Sequence, residues 1–211
     1  MSLRDRRVQY ETEGLERGDL SDCPIAQWHA WYDQASEAGV AEPHAMTVST
    51  IAADGGPDSR VVLARSVTID GIVFFTNYAS AKSRQIEDRP VAAAVFAWLD
   101  LHRQVRVRGI VQRVSSAESD AYFASRPRDS QVGAWASPQS EVIEDRGVLE
   151  REFAAQSERF AGTSVPRPPH WGGWVIIPSE FEFWQGRPNR LHDRFRYRLE
   201  NGVWSVDRLA P

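Results

Sequence analysis

The feature that most restricts how this chain can fold is a succession of short alternating segments punctuated by tight turns. "AMTVSTIA" (45–52) alternates apolar and polar residues, and "DGGPD" (54–58) is a turn. "SRVVLARSVTI" (59–69) reads as one long strand, Asp70-Gly71 as a hairpin turn and "IVFFTN" (72–77) as the next strand. A short helix at 80–88 ends before Pro90. "VAAAVFAW" (91–98) and "HRQVRVRGIVQRV" (102–114) then read as two more paired strands. Three strands finish the chain: "WVIIPSEFEFW", interrupted at Pro178, "RFRYRLE" and "VWSVDRL", the last two joined by Asn201-Gly202. Short strands with tight turns and few helices point to an antiparallel barrel with helices packed outside.

The helical segments are fewer. Ile25, Trp28, Trp31, Tyr32 and Ala35 recur at helical spacing after Pro24 and before Gly39, which predicts a helix over 24–38. "SSAE" (115–118) is a capping box opening a helix through Ser125. "PRDSQVGAWASPQS" (127–140) reads as an ordered loop with helical turns. "IEDRGVLEREFAAQSERF" (143–160) reads as a helix with Leu149, Phe153 and Phe160 on one face, and 165–173 as a rigid connector. Residues 1–23 are polar and aperiodic and are expected to form a mobile arm, leaving 24–211 as a single domain.

Composition removes several function classes. The chain has 211 residues, 42% of them hydrophobic, enough for one domain with a substantial core. A net charge of −4 disfavours a nucleic-acid binder, so any anion site must be a local cluster of positive charge. Cys23 is the only cysteine, so neither an internal disulfide nor a CxxC metal site can form. His29, His44, His102, His170 and His192 show no close pairing of the metal-binding kind. There is no apolar leader and no run approaching a membrane span. A soluble, cytoplasmic protein is expected. GxGxxG, Walker A, HExxH and GxSxG motifs are absent, which disfavours Rossmann dehydrogenases, P-loop NTPases, zinc proteases and α/β-hydrolases.

Five segments carry candidate chemistry. Alternation in "HRQVRVR" puts Gln104, Arg106 and Arg108 on one face and Val105 and Val107 on the other. That face is either simply solvated or turns Gln104 toward a ligand, where an amide can both donate and accept. "YFASRPRDS" sets Tyr122 and Arg126 at i, i+4, with Ser130 after the break at Pro127. A phenol, a guanidinium and a hydroxyl suit a phosphate, each charge-assisted bond contributing about 1.5–3 kcal/mol. A surface arginine beside a packing tyrosine is the alternative. Arg60 and Arg65 fall on opposite faces of the strand 59–69, within reach of two different anions or in water at its ends. "TNYASAKS" opens a helix whose first-turn N–H groups and Lys82 suit a phosphate, although many such junctions hold nothing. "GRPNRLHDRFRY" (186–197) gathers Arg187, Arg190, Arg194 and Arg196 around His192 and Asp193.

Together these segments resemble the pyridoxine (pyridoxamine) 5′-phosphate oxidases, FMN enzymes that make pyridoxal 5′-phosphate. The matching blocks are "RVVLAR" (60–65), "FFTNYASAKSRQI" (74–86), "RQVRVRG" (103–109), "YFASRPRDSQVGAWASPQS" (122–140), "FWQGRPNRLHDR" (183–194) and "WSVDRLAP" (204–211). They occur in family order and cover essentially the whole chain. The resemblance implies a mainly β fold with peripheral helices, an antiparallel FMN-binding split β-barrel. It implies a homodimer with two FMN sites at the subunit interface, and oxidation of pyridoxamine or pyridoxine 5′-phosphate by O2. The products are pyridoxal 5′-phosphate, H2O2 and, from the amine, ammonia. No metal, nucleic acid or membrane is implied.

Residue by residue, the resemblance implies FMN contacts from Arg60, Val61, Val62, Leu63, Arg65, Phe75, Thr76, Lys82, Gln104, Gln139, Ser140, Trp184 and Arg194. Arg65, Tyr122, Arg126 and Ser130 would surround the substrate phosphate. Arg190 and His192 would flank the pyridine ring as the catalytic pair, His192 either accepting a proton or only hydrogen-bonding. Arg7 and Tyr10 match the family's substrate-covering N-terminal segment. Arg187 and Arg196 read as solvated, and Asp193 as orienting a neighbour. Two departures stand out: Arg65 replaces the family's usual Lys, and Ala81 its usual Arg. Arg84 or Ser83 is the expected substitute for the missing donor; failing both, FMN binds more weakly than is usual. The rival readings are another split-barrel flavoprotein, such as a phenazine-pathway oxidase or a deazaflavin-dependent reductase, and a non-catalytic carrier of FMN or pyridoxal phosphate. The Tyr122/Arg126/Ser130 set argues against the first.

Overall fold

The computed structural model describes residue 2 and residues 9–211. Helix α1 (Pro24–Glu37) comes first, with Pro24 at its first turn and Ile25, Trp28, Trp31 and Ala35 buried along one stripe. Strands β1 (Ala45–Ile51), β2 (Pro57–Leu63), β3 (Ser66–Thr68) and β4 (Gly71–Asn77) follow, then helix α2 (Ala81–Asp88), then β5 (Val91–Trp98) and β6 (Arg103–Arg113). Helices α3 (Ser116–Ser125), α4 (Arg128–Ala136) and α5 (Arg146–Arg159) precede β7 (Trp171–Gln185), β8 (Asp193–Glu200) and β9 (Val203–Leu209). Every strand pairing is antiparallel.

The strands run in the order β2-β1-β5-β6-β7-β4-β3, with β8 and β9 branching from β7. The segment 59–69 is not one strand. It leaves β1 at Leu63 and joins β4 at Ser66. At the crossing, the Ala64 N–H donates to the His44 carbonyl and the Arg65 N–H to the Val73 carbonyl. Residues 64–65 therefore join the two ends of the strand path, and the sheet curls into a barrel at that seam. The alternation read from sequence is continuous there, but the pairing partner changes.

Strand β7 is not interrupted at Pro178 either. One of its edges pairs with β6 along its length. The other pairs with β4 over 171–176 and with β8 over 180–185. Pro178, which has no N–H to give, falls where that second edge changes partner. Opposite it the β6 register shifts between Arg108 and Gly109. A Cβ on Gly109 would lie 2.0 Å from the Ile177 carbonyl oxygen. The barrel is thus split, with β8–β9 as a separate flap.

A large apolar core lies under α1 and the strands, with Trp28 edge-on to Phe96 at 5.2 Å and Trp31 edge-on to Phe183 at 5.2 Å. A second cluster, Phe123, Val132, Phe160, Val165 and Trp171, seats helices α3–α5. The Ser115 hydroxyl caps α3 by accepting from the Glu118 N–H, the hydroxyl half of the expected capping box. The 127–140 stretch, expected as an ordered loop with helical turns, forms the nine-residue helix α4, and Val132 buries in that second cluster. Helix α5 starts later than expected, after the Asp145 side chain caps Val148. Within the segment expected as an arm, Leu15 and Leu20 are buried in the main core.

Gly109→Ala should destabilise the fold by about 1–3 kcal/mol, since the added methyl meets backbone that cannot yield. Urea unfolding of the variant checks this. An unchanged midpoint is incompatible with the contact.

Candidate active site

A cleft of about 640 Å³ opens beside the seam. Its lining includes Arg60, Val61, Val62 and Leu63 from β2, Arg65 from the seam, and Phe75 and Thr76 from β4. Lys82 of α2, Tyr122 and Arg126 of the α3 end, Ser130 of α4, and Gln139 complete the set. These twelve are all residues singled out from sequence for the two phosphorylated ligands. Arg60 and Arg65, expected on opposite strand faces, meet in one cleft because the chain turns between them.

Lys82 is the most buried of the cleft's cations. Its side chain is buried, 8% exposed, and its ammonium donates to Thr76 Oγ1 at 3.2 Å, Ser80 Oγ at 3.3 Å and Gln139 Oε1 at 3.4 Å. Among the described residues no carboxylate forms an ion pair with it. Burial, then the Arg60 charge, pushes the ammonium down to about 8, against a weaker upward pull from Asp58. Arg60 is fixed by Asp58 at 2.5 Å, by Thr50 Oγ1 at 2.6 Å and by Gln85 Oε1 at 3.2 Å. Gln85 also donates to Asp58 at 2.9 Å, the first cause that holds that carboxyl below its usual range.

Neither expected substitute for the donor missing at Ala81 reaches the cleft. Arg84 is exposed and bound to the Ala79 carbonyl and Glu141. The Ser83 hydroxyl is spent on the Asn77 carbonyl and the Trp174 indole. Lys82 and Arg60 are the cations of that corner.

The second cation pair sits against an aromatic wall. Phe75 stacks on Tyr122 at 4.0 Å and on Trp171 at 5.6 Å. The Arg126 guanidinium lies 4.7 Å over Trp171, and Arg65 5.9 Å over Tyr122. Arg126 Nη1 is buried with no hydrogen-bond partner, and burial lowers its pKa. An unpaired buried guanidinium nitrogen costs energy unless an acceptor arrives. Sequence reasoning passed over Trp171, Asn77 and Ser137, which also line the cleft. The glycines after Trp171 were the available signal: a Cβ on Gly173 would lie 2.8 Å from the Phe75 ring.

The remaining sequence candidates lie elsewhere. Gln104, Trp184 and Arg194 face each other across β6, β7 and β8. Arg194 Nε donates to buried Glu182 at 2.9 Å, which also accepts from Arg106 at 2.8 Å. His192 lies 4.6 Å from Trp184 and 5.8 Å from Tyr10, and Tyr10 stacks on His102 at 4.1 Å. The Arg187 N–H donates to His192 Nδ1 at 3.0 Å, which leaves the proton on Nε2. Burial, then Arg190, holds this imidazole below its usual pKa, which favours the neutral form with its N–H on Nε2. Arg190 is exposed, with φ of 62°. Ser140, also left-handed at φ of 73°, follows Gln139 without lining the cleft. Arg7 lies outside the described residues. Arg187 and Arg196 are not merely solvated: Arg187 binds Asp193 and the Glu13 carbonyl, and Arg196 binds Asp207.

These features define a split-barrel protein with a basic, aromatic-walled cleft. Residues 32–159 match the family model described as pyridoxamine 5′-phosphate oxidase, and residues 171–211 match the pyridoxine 5′-phosphate oxidase C-terminal dimerisation region. The chain belongs to the pyridoxamine 5′-phosphate oxidase family. It is 51% identical to a pyridoxine/pyridoxamine 5′-phosphate oxidase of Synechocystis sp., covering 100% of this chain and 99% of that one. It is also 51% identical to the protein of that name from an Acidovorax species, with 100% and 96% covered. Among solved structures, PhzG from Burkholderia lata, in complex with tetrahydrophenazine-1-carboxylic acid, superposes with a TM-score of 0.88 at 29% identity, over 94% of this chain and 98% of that one. An FMN-binding protein related to pyridoxamine 5′-phosphate oxidase from Nostoc punctiforme shares the fold, with a TM-score of 0.72 at 18% identity over 91% and 100% of the two chains.

The Lys82 pKa fixes a pH dependence. Because about 8 lies below its ordinary 10.5, the buried charge costs stability below pH 8, and that cost fades as pH rises from 8 to 10.5. A phosphoester bound at this corner needs the protonated form. Its affinity should fall as pH rises through 8, and Lys82→Met should weaken it while flattening that profile. Equilibrium dialysis with FMN between pH 7 and 9 measures both; a flat wild-type profile excludes Lys82 from the phosphate.

Proposed function

We propose that this protein oxidises pyridoxamine 5′-phosphate and pyridoxine 5′-phosphate to pyridoxal 5′-phosphate, with FMN as cofactor and O2 as acceptor. For the amine, the substrate carbon loses two electrons to O2, which leaves as H2O2, and water replaces the nitrogen, released as ammonia. The observation that carries the reading is the pair of cation groups in one cleft: Lys82 beside Arg60, two cations that share the single carboxylate Asp58, and Arg126 with Arg65, which form no ion pair among the described residues. Two phosphorylated ligands side by side supply what both lack.

The residues fit FMN. Lys82, Arg60, Thr76 and Gln139 would hold its phosphate, and Val61, Leu63 and Phe75 offer apolar surface to a flat ring. FMN, when bound, supplies the two-electron chemistry that no side chain here possesses. Tyr122, Arg126, Ser130 and Arg65 would hold the substrate phosphate and so set where the substrate carbon lies.

A second copy completes the site. Trp171 lines the cleft at one end of β7, and Trp184 stands 13 residues further along that strand. At about 3.3 Å per residue that is on the order of 40 Å, too far for Arg190 and His192 to serve the cleft of their own chain. Both fall in the dimerisation region. In a homodimer the partner's loop would bring an Nε2–H donor and a free guanidinium to the pyridine ring, with FMN at the interface. His192 acts there as a donor, since its Nδ1 lone pair is already taken.

Peroxide release from the FMN-loaded protein under air tests the reading, with both phosphorylated vitamers as substrates and their dephosphorylated forms as controls. Turnover should be confined to the phosphorylated forms. Arg126→Ala should raise KM about 10–100-fold, the equivalent of one charge-assisted contact of about 1.5–3 kcal/mol. Arg190→Ala should lower kcat/KM about 100-fold, and Arg196→Ala by less than about twofold. No peroxide from either phosphorylated vitamer refutes the activity. Turnover indifferent to the phosphate group points instead to the phenazine-like branch.

A further inference from the structure

We propose that Asp193 is a positioning residue: its carboxylate latches residues 9–16 onto the loop that carries Arg190 and His192. Asp193 is the first residue of β8, immediately after His192, and is only 7% exposed. One carboxylate oxygen accepts from the Leu15 backbone N–H at 3.0 Å and faces Arg187 Nε at 3.4 Å. The other accepts from Arg208 Nη1 of β9 at 2.7 Å. A single buried carboxylate thus joins the N-terminal segment, the start of the loop and the last strand.

Its partners extend the grip. Arg187 donates to the Glu13 carbonyl at 2.8 Å, and Arg208 Nη2 reaches Glu16 at 2.6 Å and the Leu15 carbonyl at 3.3 Å. Thr12 donates to the Gly186 carbonyl at 2.5 Å. Leu15 itself is buried in the main core, so the segment enters the fold there rather than lying on it. Beyond this anchor the chain reaches Tyr10, on the aromatic group of His102, Trp184 and His192.

The same knot closes the loop. Arg187 stands at its start and Asp193 at its end, and their ion pair brings the Arg187 N–H onto His192 Nδ1. With the carboxylate gone, two guanidinium groups would face each other with no anion between them and the Leu15 N–H would lose its acceptor. The segment and the His192 tautomer would loosen together. The latch goes beyond the proposed activity, because residues 9–16 dock through Asp193 whether or not any substrate binds.

The test uses two variants that leave Arg190, His192 and Tyr10 intact. Asp193→Asn keeps the volume and removes the charge. Gly14→Ala attacks the latch from the other side: Gly14 sits at φ of +89°, and a Cβ there would lie 2.1 Å from Arg187 Nη1. Hydrogen exchange on the FMN-loaded protein, which needs no turnover, is the first measurement. The Leu15 amide, whose acceptor is Asp193, should exchange at least tenfold faster in both variants, with those of Val105 and Val107 unchanged. The second measurement rests on the activity proposed above. KM for pyridoxamine 5′-phosphate should rise at least fivefold with kcat within twofold. Unchanged exchange at Leu15 in Gly14→Ala, or faster exchange spread evenly over the whole fold, overturns the latch. A wild-type protein without activity refutes the function proposed above while the exchange result still decides the latch. Should Asp193→Asn not fold, Gly14→Ala alone carries both readings.

Discussion

Strand β7 gives one edge to β6 throughout and divides the other between β4 and β8, and the rest of the molecule follows from that division. An antiparallel barrel closes when each strand has two partners. Here the β4 half of β7 completes the barrel, while the β8 half carries a flap that belongs to no closed circuit. Pro178 and Gly109 sit opposite each other at the change of partner, one without an N–H and the other without a Cβ. Because the division is at mid-strand, the cleft with its cations forms at one end of β7 and the Trp184–His192 group at the other.

An acidic chain makes a basic cleft by deciding which of its cations are neutralised. Arg84, Arg106, Arg194 and Arg196 all meet carboxylates. Lys82 and Arg126 do not, and both are partly withdrawn from water, where an unpaired charge interacts most strongly with an arriving anion. The aromatic wall of Tyr122, Phe75 and Trp171 adds a low-dielectric side to the same space. The local positive character of the cleft then comes from leaving these few cations unmatched, not from net charge.

Much of the fold was legible locally. The α1 stripe and the alternation of Gln104, Val105, Arg106 and Val107 each depend on neighbours a few residues away and appear as read; the hairpin forms one residue earlier, with Ile69-Asp70 as its turn and Gly71 opening β4, and Ser115 supplies the hydroxyl half of its capping box. The failures share one cause. Residues 59–69 keep an unbroken alternation while their pairing partner changes at 64–65, and periodicity does not report partners. At 127–140, where only helical turns within a loop were expected, a full helix α4 forms because a distant cluster around Phe123 and Trp171 receives Val132. Arg187 looked like a surface charge until Asp193 and the Glu13 carbonyl closed on it.

By itself the sequence determined the residue types, their order and the local periods: short antiparallel strands, a few peripheral helices, and the arginines, lysine and hydroxyls that suit phosphate. Tertiary structure alone decided which of them meet. Arg60 and Arg65 share a cleft because the barrel seam falls between them. Among the described residues Lys82 has no ion-paired carboxylate, because Asp58, the one that acts on it, is held by Arg60 and Gln85. Arg190 and His192 stand at the far end of β7. Convergence, burial and charge compensation are properties of separations in space, and the chain encodes those only through the packing of the whole domain.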